Sequence, residues 1–185
     1  MELNRLKNMI AYLSGPIDFS FGDNHGKEWR DAITPFLESL GVNVLNPLRH
    51  QYQFVGGDRI PLVRDKIGKS LKQGRFHELR EDLKEIVHMD LRSVDLSSFV
   101  ICNYNTTIHM CGTYEEIFKN NTQVKPTLLV STKPKTELSS WIYARFPPEH
   151  IFKNWDELKK YLTAINSDPD FNFSKADLKR WLFLK

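Results

Sequence analysis

The sequence predicts an α/β fold in which a five-stranded parallel sheet lies between two layers of helices. Short apolar runs alternate along the chain with longer segments whose apolar residues recur at helical spacing. The apolar runs end near glycine, proline or asparagine, as buried strands do. Strands that alternate with helices form parallel βαβ units rather than antiparallel hairpins.

Five segments are predicted to be strands because each is short and apolar. The first of them stops at Gly15 and Pro16, where the backbone must turn. Right-handed crossovers between parallel strands leave few topologies, and we predict the order 2-1-3-4-5 of flavodoxin-like and Rossmann-like three-layer domains. In chain order the predicted strands are Met9–Ser14, Val42–Leu45, Phe99–Tyr104, Thr127–Ser131 and His150–Phe152.

Helices are predicted where apolar residues recur every three to four positions between or after the strands. Gly41 follows the first helix at the position where a C′ glycine ends a helix. Asn154 and Ser174 are predicted N-caps, since such side chains accept hydrogen bonds from backbone N–H groups of the first turn. The predicted helices are Lys27–Leu40, Glu78–Val94, Thr113–Asn121, one from Asn154 to about Ile165, and a last short one that carries Trp181, Leu182 and Phe183.

The composition is that of one globular domain over residues 1–185, with a helical tail at about residues 170–185. Hydrophobic residues make up 41% and charged residues 26%, and the net charge is only +3, so charge alone predicts no nucleic-acid partner. No apolar run approaches the ~20 residues of a membrane span. Cys102 and Cys111 cannot form a disulfide framework, so we expect a cytoplasmic protein. His109 lies near Cys111 without a second ligand pair, and no metal site is predicted.

One connection is longer than usual. About 28 residues, at positions 50–77, separate the second strand from the next long helix. Between Arg59 and Arg75 only Asp65 opposes the basic side chains. Two interpretations remain open: a basic lid over an anionic substrate, or a solvated helix packed at the edge of the domain. The basic residues are Arg59, Arg64, Lys66, Lys69, Lys72 and Arg75.

Topology locates the functional site before any motif is considered. In open parallel sheets, ligands bind beyond the carboxyl ends of the strands, where the strand order reverses. The loops after the first, third and fourth strands, at residues 14–19, 103–116 and 131–141, should therefore form the site.

Three candidate catalytic residues fall near these loops: Tyr12 in the first strand, Asp90 in the helix before the third, and Glu116 in the helix after it. Each also has an ordinary structural interpretation. Thr113 and Glu116 have the spacing of a capping box, in which the threonine caps the helix and the glutamate reaches back to a backbone N–H. Asp90 would then be a surface carboxylate, and aromatic residues such as Tyr12 are common near strand ends.

The order and spacing of these residues resemble the nucleoside 2-deoxyribosyltransferase family, including its relatives that hydrolyse deoxynucleoside monophosphates. That family has a strand ending in Tyr before a Gly-containing turn, an Asp-Leu pair before the third strand, a Gly-[Ser/Thr]-x-x-Glu-[Leu/Ile] motif after it, and a Lys-Pro pair opening the next strand. The resemblance spans roughly residues 10–130, with a weaker echo at Ile151–Leu162. The matching positions are Tyr12 with residues 14–16, Asp90 with Leu91, residues 112–117, and Lys125 with Pro126.

The resemblance implies that Glu116 attacks C1′ of a deoxynucleoside and forms a covalent deoxyribosyl intermediate. It also implies that Tyr12 orients this carboxylate and that Asp90 binds or protonates the departing base. The chemistry requires such groups, because a glycosidic bond breaks through an oxocarbenium-like transition state that a carboxylate stabilises or traps. Deoxyribose suits this route, since it lacks the 2′-hydroxyl that would destabilise the cation. We expect no cofactor.

The resemblance also implies a substrate-binding set. Backbone amides around Gly15 would line the sugar pocket, and Met110 stands where transferases often place a carboxylate facing the base. Asp18 would repel a 5′-phosphate, which favours a nucleoside over a nucleotide unless the basic insert compensates. Ser139 or Ser140 would reach a neighbouring subunit's substrate in a homodimer or larger assembly. The whole set is Ser14, Gly15, Pro16, Asp18, Met110, Gly112, Thr113, Ser139 and Ser140.

Four functions follow from these patterns. The first is transfer of a deoxyribosyl group from a nucleoside or nucleotide to a free base, and the second is hydrolysis with water as acceptor. The third is a nucleotide-binding sensor without turnover. The fourth, nucleic-acid binding, depends on the basic stretch alone, which lacks the interleaved aromatic residues of a single-strand channel. We therefore expect small-molecule partners and neither a nucleic acid nor a membrane.

Overall fold

The computed structural model describes residues 3–17, 26–49 and 60–184, with only the backbone at 60–65. Its sheet has five parallel strands in the order β2-β1-β3-β4-β5, so the predicted fold class and strand order are confirmed. Each observed strand lies within one residue of its predicted bounds. The strands are β1 Ile10–Ser14, β2 Asn43–Leu45, β3 Phe99–Tyr104, β4 Thr127–Ser131 and β5 Ile151–Phe152.

Helices cover both faces of the sheet. The first ends as predicted: Gly41 has a φ of 77° and donates to the carbonyl of Glu38, while Val42 donates to that of Leu37. These two bonds form a Schellman motif, which needs a left-handed residue at C′. The longer helices are α1 Lys27–Ser39, α2 Ile60–Lys72, α3 Phe76–Leu96, α4 Cys111–Thr122, α5 Ser140–Arg145, α6 Trp155–Ser167 and α7 Lys175–Arg180.

The side chains of β1 point alternately into two apolar layers, one on each face of the sheet. Ala11 and Leu13 face the layer that contains α1 and α6, whereas Tyr12 faces the layer that contains α3, α4 and α5. Strand alternation requires this division, because successive side chains point to opposite faces. The β1–β3 boundary is the switch point of the sheet, and Tyr12 lies there between Leu45 and Val100.

The last two predicted N-caps are confirmed. Asn154 accepts from the backbone N–H of Glu157, and Ser174 forms a capping box with Asp177. The last helix is shorter than predicted, because α7 ends at Arg180. Trp181, Leu182 and Phe183 follow it, as a C-cap residue and part of a 3-10 turn. Trp181 is nevertheless fully buried, so the tail covers the α1/α6 layer.

The basic insert is helical in its second half. Helix α2 packs against α3, and the Lys66 ammonium lies 2.6 Å from the carboxylate of Asp82, both side chains being exposed. This pairing fits the solvated-helix interpretation. The side chains of Arg59 and Arg64 lie outside the described residues, so the lid interpretation stays a prediction. None of the described helices is both long enough and apolar enough to cross a bilayer.

Candidate active site

Glu116 is the centre of a buried polar cluster at the carboxyl edge of the sheet. The residue is 9% exposed, and its carboxylate accepts two hydrogen bonds from β1. The Tyr12 hydroxyl donates to Oε1 at 2.7 Å, and the Ser14 hydroxyl donates to Oε2 at 2.5 Å. Both donors stand on the same face of β1 because they are two residues apart. The two bonds hold the carboxylate plane in one orientation.

The capping-box interpretation of Glu116 is wrong. Helix α4 begins at Cys111, two residues earlier than predicted, and Met110 is its N-cap, without a side-chain hydrogen bond. Thr113 is therefore the third residue of the helix and does not cap it. Both carboxylate oxygens of Glu116 bind hydroxyls of β1 instead of backbone N–H groups.

Asp90 is the second carboxyl group of the cluster. It is half-buried on α3, close enough to Tyr12 and Glu116 for both to affect its pKa, so the predicted three residues do meet. The interpretation of Asp90 as a surface carboxylate is thus wrong. Tyr12 has one hydroxyl hydrogen, which it donates to Glu116 at 2.7 Å.

Burial and neighbouring charges raise the pKa values of Asp90, Glu116 and Tyr12 above those of exposed side chains of the same type. Burial, followed by the charge of Glu116, raises the pKa of Asp90 to about 7. Burial also raises the pKa of Glu116, while hydrogen bonds from Ser14 and Tyr12 and the charge of Arg30 oppose that effect. The pKa of Tyr12 is raised well above 10, again by burial and then by the two carboxylates, so its hydroxyl remains a donor.

The turn after β1 is closely packed. A side chain at Gly15 would place its Cβ 3.0 Å from the ring of Trp29 and 3.2 Å from Cβ of Asn103, so the backbone passes where only glycine fits. Pro16 is buried beside it. Asp18, the third predicted substrate-binding residue of this turn, lies outside the described residues.

The predicted substrate-binding residues on α4 differ in their surroundings. Gly112 is exposed, and among the described residues nothing lies within 4 Å of a Cβ placed on it. Thr113 and Met110 are buried, and Met110 packs in the apolar layer that contains Tyr12. An apolar Met110 therefore stands at the position where the family resemblance implies a carboxylate facing the base.

Ser139 and Ser140 lie at the N-terminal end of α5. Ser139 is the N-cap of α5 and accepts from the backbone N–H of Trp141. It lines a groove of about 420 Å³ whose other walls are Tyr104, Tyr114, Phe118, Trp141 and Ile142. A contact with a neighbouring subunit's substrate stays a prediction.

Two residues near the cluster were not predicted from the sequence. Arg30 is completely buried in α1, and its charge acts on Glu116, Asp90 and Tyr12. Ile33 and Leu37 follow it at i+3 and i+7, so Arg30 lies within the apolar stripe of the helix. A charged residue in that stripe is the sequence signal that could have predicted its burial. Cys102 is fully buried opposite Ser14 on the neighbouring strand, and burial raises the pKa of its thiol well above the usual range.

Metal binding has no support in the part of the chain that is described, where no three His, Cys, Asp or Glu side chains are grouped for an ion.

No protein-family model and no curated protein matches the sequence. Among solved structures, a 2-deoxyribosyltransferase from the psychrotolerant bacterium Bacillus psychrosaccharolyticus is similar, with a TM-score of 0.57 and 17% sequence identity. The similarity covers 94% of this chain and 99% of that one, and at this identity it shows a shared fold.

Proposed function

We propose that this protein cleaves the N-glycosidic bond of a deoxynucleoside or deoxynucleotide and transfers the sugar to another base. The observation that carries the proposal is the cluster of Tyr12, Ser14, Asp90 and Glu116 at the carboxyl edge of the sheet. The fold shared with a 2-deoxyribosyltransferase supports it. The order and spacing of its sequence motifs also resemble the nucleoside 2-deoxyribosyltransferase family.

In the first step Glu116 is the nucleophile. A lone pair of its carboxylate forms a bond to C1′, and the C1′–N bond breaks with its electron pair going to the base. The hydroxyls of Tyr12 and Ser14 occupy one lone pair on each oxygen and leave another free for attack. Holding the carboxylate in place reduces the entropy lost on the way to the transition state.

Asp90 assists departure of the base. With a pKa of about 7 it is partly protonated near neutral pH, which suits a general acid. Its proton passes to the leaving base, whose negative charge would otherwise oppose bond cleavage. Two carboxyl groups in different environments thus take different roles, one as nucleophile and one as acid.

In the second step an incoming base attacks C1′ of the glycosyl ester. The C1′–O bond to Glu116 breaks, the carboxylate is restored, and the proton from the incoming nitrogen returns to Asp90. Two displacements at C1′ give retention of configuration. With water in place of the base, the same step would release free deoxyribose.

The test is incubation of the protein with a panel of deoxynucleosides and their 5′-monophosphates, with and without a second free base, followed by chromatography. We expect a new nucleoside with the β configuration when a free base is present. If free deoxyribose or its phosphate is the sole sugar product, the activity is hydrolysis and the proposed transfer is wrong. Binding without any loss of substrate would favour a sensor and overturn the enzymatic proposal.

A further inference from the structure

Arg30 is a buried cation that the mechanism above leaves without a role. Its side chain has an exposed fraction of 0% and lies on the face of α1 that packs on the sheet. Burying a charge is strongly unfavourable unless hydrogen bonds and opposite charges compensate for the lost hydration. The contacts of Arg30 therefore identify the groups that stabilise its buried charge.

The guanidinium binds both ends of the connection between β1 and α1. Nη2 donates to the carbonyl of Gly15 at 2.9 Å, and Nε donates to that of Leu13 at 3.3 Å. Nη1 donates to the carbonyl of Gly26 at 2.7 Å. Leu13 and Gly15 flank Ser14, the residue that donates to Oε2 of Glu116. Arg30 thereby holds the backbone on either side of this donor.

The backbone at Gly26 is adapted to this arrangement. Gly26 has a φ of 75°, and a Cβ there would lie 2.5 Å from Nη1 of Arg30 and 2.6 Å from the carbonyl oxygen of Pro16. Glycine alone meets both requirements, because it accepts a left-handed conformation and has no side chain. Backbone atoms thus lie close to the guanidinium, and the centroid of the Trp29 ring lies 4.4 Å from its central carbon.

The charge of Arg30 also acts on the functional cluster. It lowers the pKa of Glu116, and it has the same effect on Asp90, Tyr12 and Cys102. An arginine keeps its charge when buried, whereas a buried lysine readily loses its proton. A guanidinium also has five donors in a fixed plane, which allows one side chain to bind several carbonyls.

We propose that Arg30 is a positioning residue for Glu116: it fixes the backbone on both sides of Ser14 and so holds the hydroxyl that binds Oε2, and its positive charge lies beside the same strand end. The inference deepens the proposed function, on which its kinetic readout rests. A structural clamp alone would affect stability and would leave the ionisation of Glu116 unchanged.

The test compares Arg30→Gln with the matched control Lys125→Gln. The Lys125 ammonium also donates to three backbone carbonyls, those of Val94, Asp95 and Ser97, but it caps the end of α3 away from the cluster. Both variants lose a cation that binds carbonyls, and both should melt at a lower temperature. Only Arg30→Gln should move the acidic limb of the kcat/KM profile to higher pH, with about a tenfold loss of kcat/KM on that limb.

A second measurement does not need turnover. Carboxyl ¹³C resonances of glutamate-labelled protein are followed with pH, and Glu116→Gln assigns the signal of Glu116. We expect the midpoint of Glu116 to rise in Arg30→Gln and to stay constant in Lys125→Gln. If no base is released from any substrate, the proposed function fails, and this titration still decides the role of Arg30.

Arg30→Lys is a second variant that keeps the proposal testable if Arg30→Gln does not fold. A lysine retains a protonatable cation but cannot bind all three carbonyls, so we expect a smaller shift than in Arg30→Gln. An unchanged Glu116 midpoint in the folded Arg30→Gln protein would overturn the proposal. If only Arg30→Lys folds, wild-type values of both the midpoint and kcat would overturn it equally.

Discussion

Ser14 and Glu116 are joined by a hydrogen bond of 2.5 Å between positions 102 residues apart in the chain. The bond connects the last residue of β1 to the second turn of α4, and Tyr12 makes a parallel contact from the same strand. One strand thus supplies both donors to one carboxylate.

Replacement of Glu116 tests the nucleophile directly. We expect Glu116→Gln to reduce kcat by roughly a thousandfold or more, about 4 kcal/mol of barrier, because the amide cannot form the glycosyl ester. The neighbouring Glu115, which is exposed, provides the control Glu115→Gln with near-normal rates. A glycosylated peptide containing Glu116, trapped by rapid quench, would be the positive result. The opposite ranking of the two variants would identify Glu115 as the nucleophile and overturn the role of Glu116.

Removal of the Ser14 hydroxyl should weaken catalysis without unfolding the protein. A hydrogen bond to a charged group contributes about 1.5–3 kcal/mol, so Ser14→Ala should lower kcat/KM by roughly 10- to 100-fold. The acidic limb of the pH profile of kcat/KM should move to higher pH in this variant, because the lost bond lowers the pKa of Glu116. Ser93→Ala is the control, because Ser93 is also buried but donates to Met89 within α3. Equal losses in both variants would contradict a specific role for Ser14.

Asp90 should make stability depend on pH with a definite sign. Its pKa in the folded state is about 7, above its ordinary value of 3.8, so the folded protein binds this proton more tightly than the unfolded chain. The resulting stability is present below pH 4 and is lost as the pH rises through 7, by up to about 4 kcal/mol. Denaturant unfolding at pH 4 to 8 should show this slope in the wild type.

In Asp90→Asn the corresponding part of the slope should vanish, because asparagine does not titrate. Asp95→Asn serves as the comparison, since Asp95 is bound by Lys119 and Gln123 near the end of the same helix and its pKa is lowered. A wild-type slope retained in Asp90→Asn would show that other groups carry the pH dependence.

The C-terminal helix should depend on Asp177. Burial alone would raise the pKa of Asp177, but hydrogen bonds from His150, Tyr161 and Ser174 hold it well below its usual range. Asp177→Ala should therefore lower the free energy of unfolding by about 3 kcal/mol, because the buried donors lose their acceptor. The effect should be largest above pH 4 and shrink as acid protonates the wild-type carboxylate. Asp170→Ala, in an exposed loop, should change the melting temperature little.

The sheet was predictable because apolar strands and their glycine and proline ends are local signals. β3 and β4 match their predicted bounds, and Gly41 and Asn154 act as the caps they were predicted to be. The meeting of Tyr12, Asp90 and Glu116 was predicted from a family resemblance. No local pattern could have placed Asp90 against Tyr12.

Two features lay beyond the sequence for physical reasons. Thr113 and Glu116 have capping-box spacing, but hydroxyls distant in the chain offer Glu116 stronger partners than its own helix end. Arg30 was missed because hydrophobic patterns treat a charge as exposed. Its burial depends on carbonyl groups whose positions only the folded turn defines.

The alternation of β1 ties the site and the core to one strand register. Ala11 and Leu13 pack into one layer while Tyr12 and Ser14 reach Glu116 on the other, so both sets share a single register. Deleting one residue within this strand would turn its hydroxyls into the apolar layer and present methyl groups to the carboxylate. Sequence change in this strand is therefore confined to substitution, and length variation among active descendants should fall outside residues 10–14.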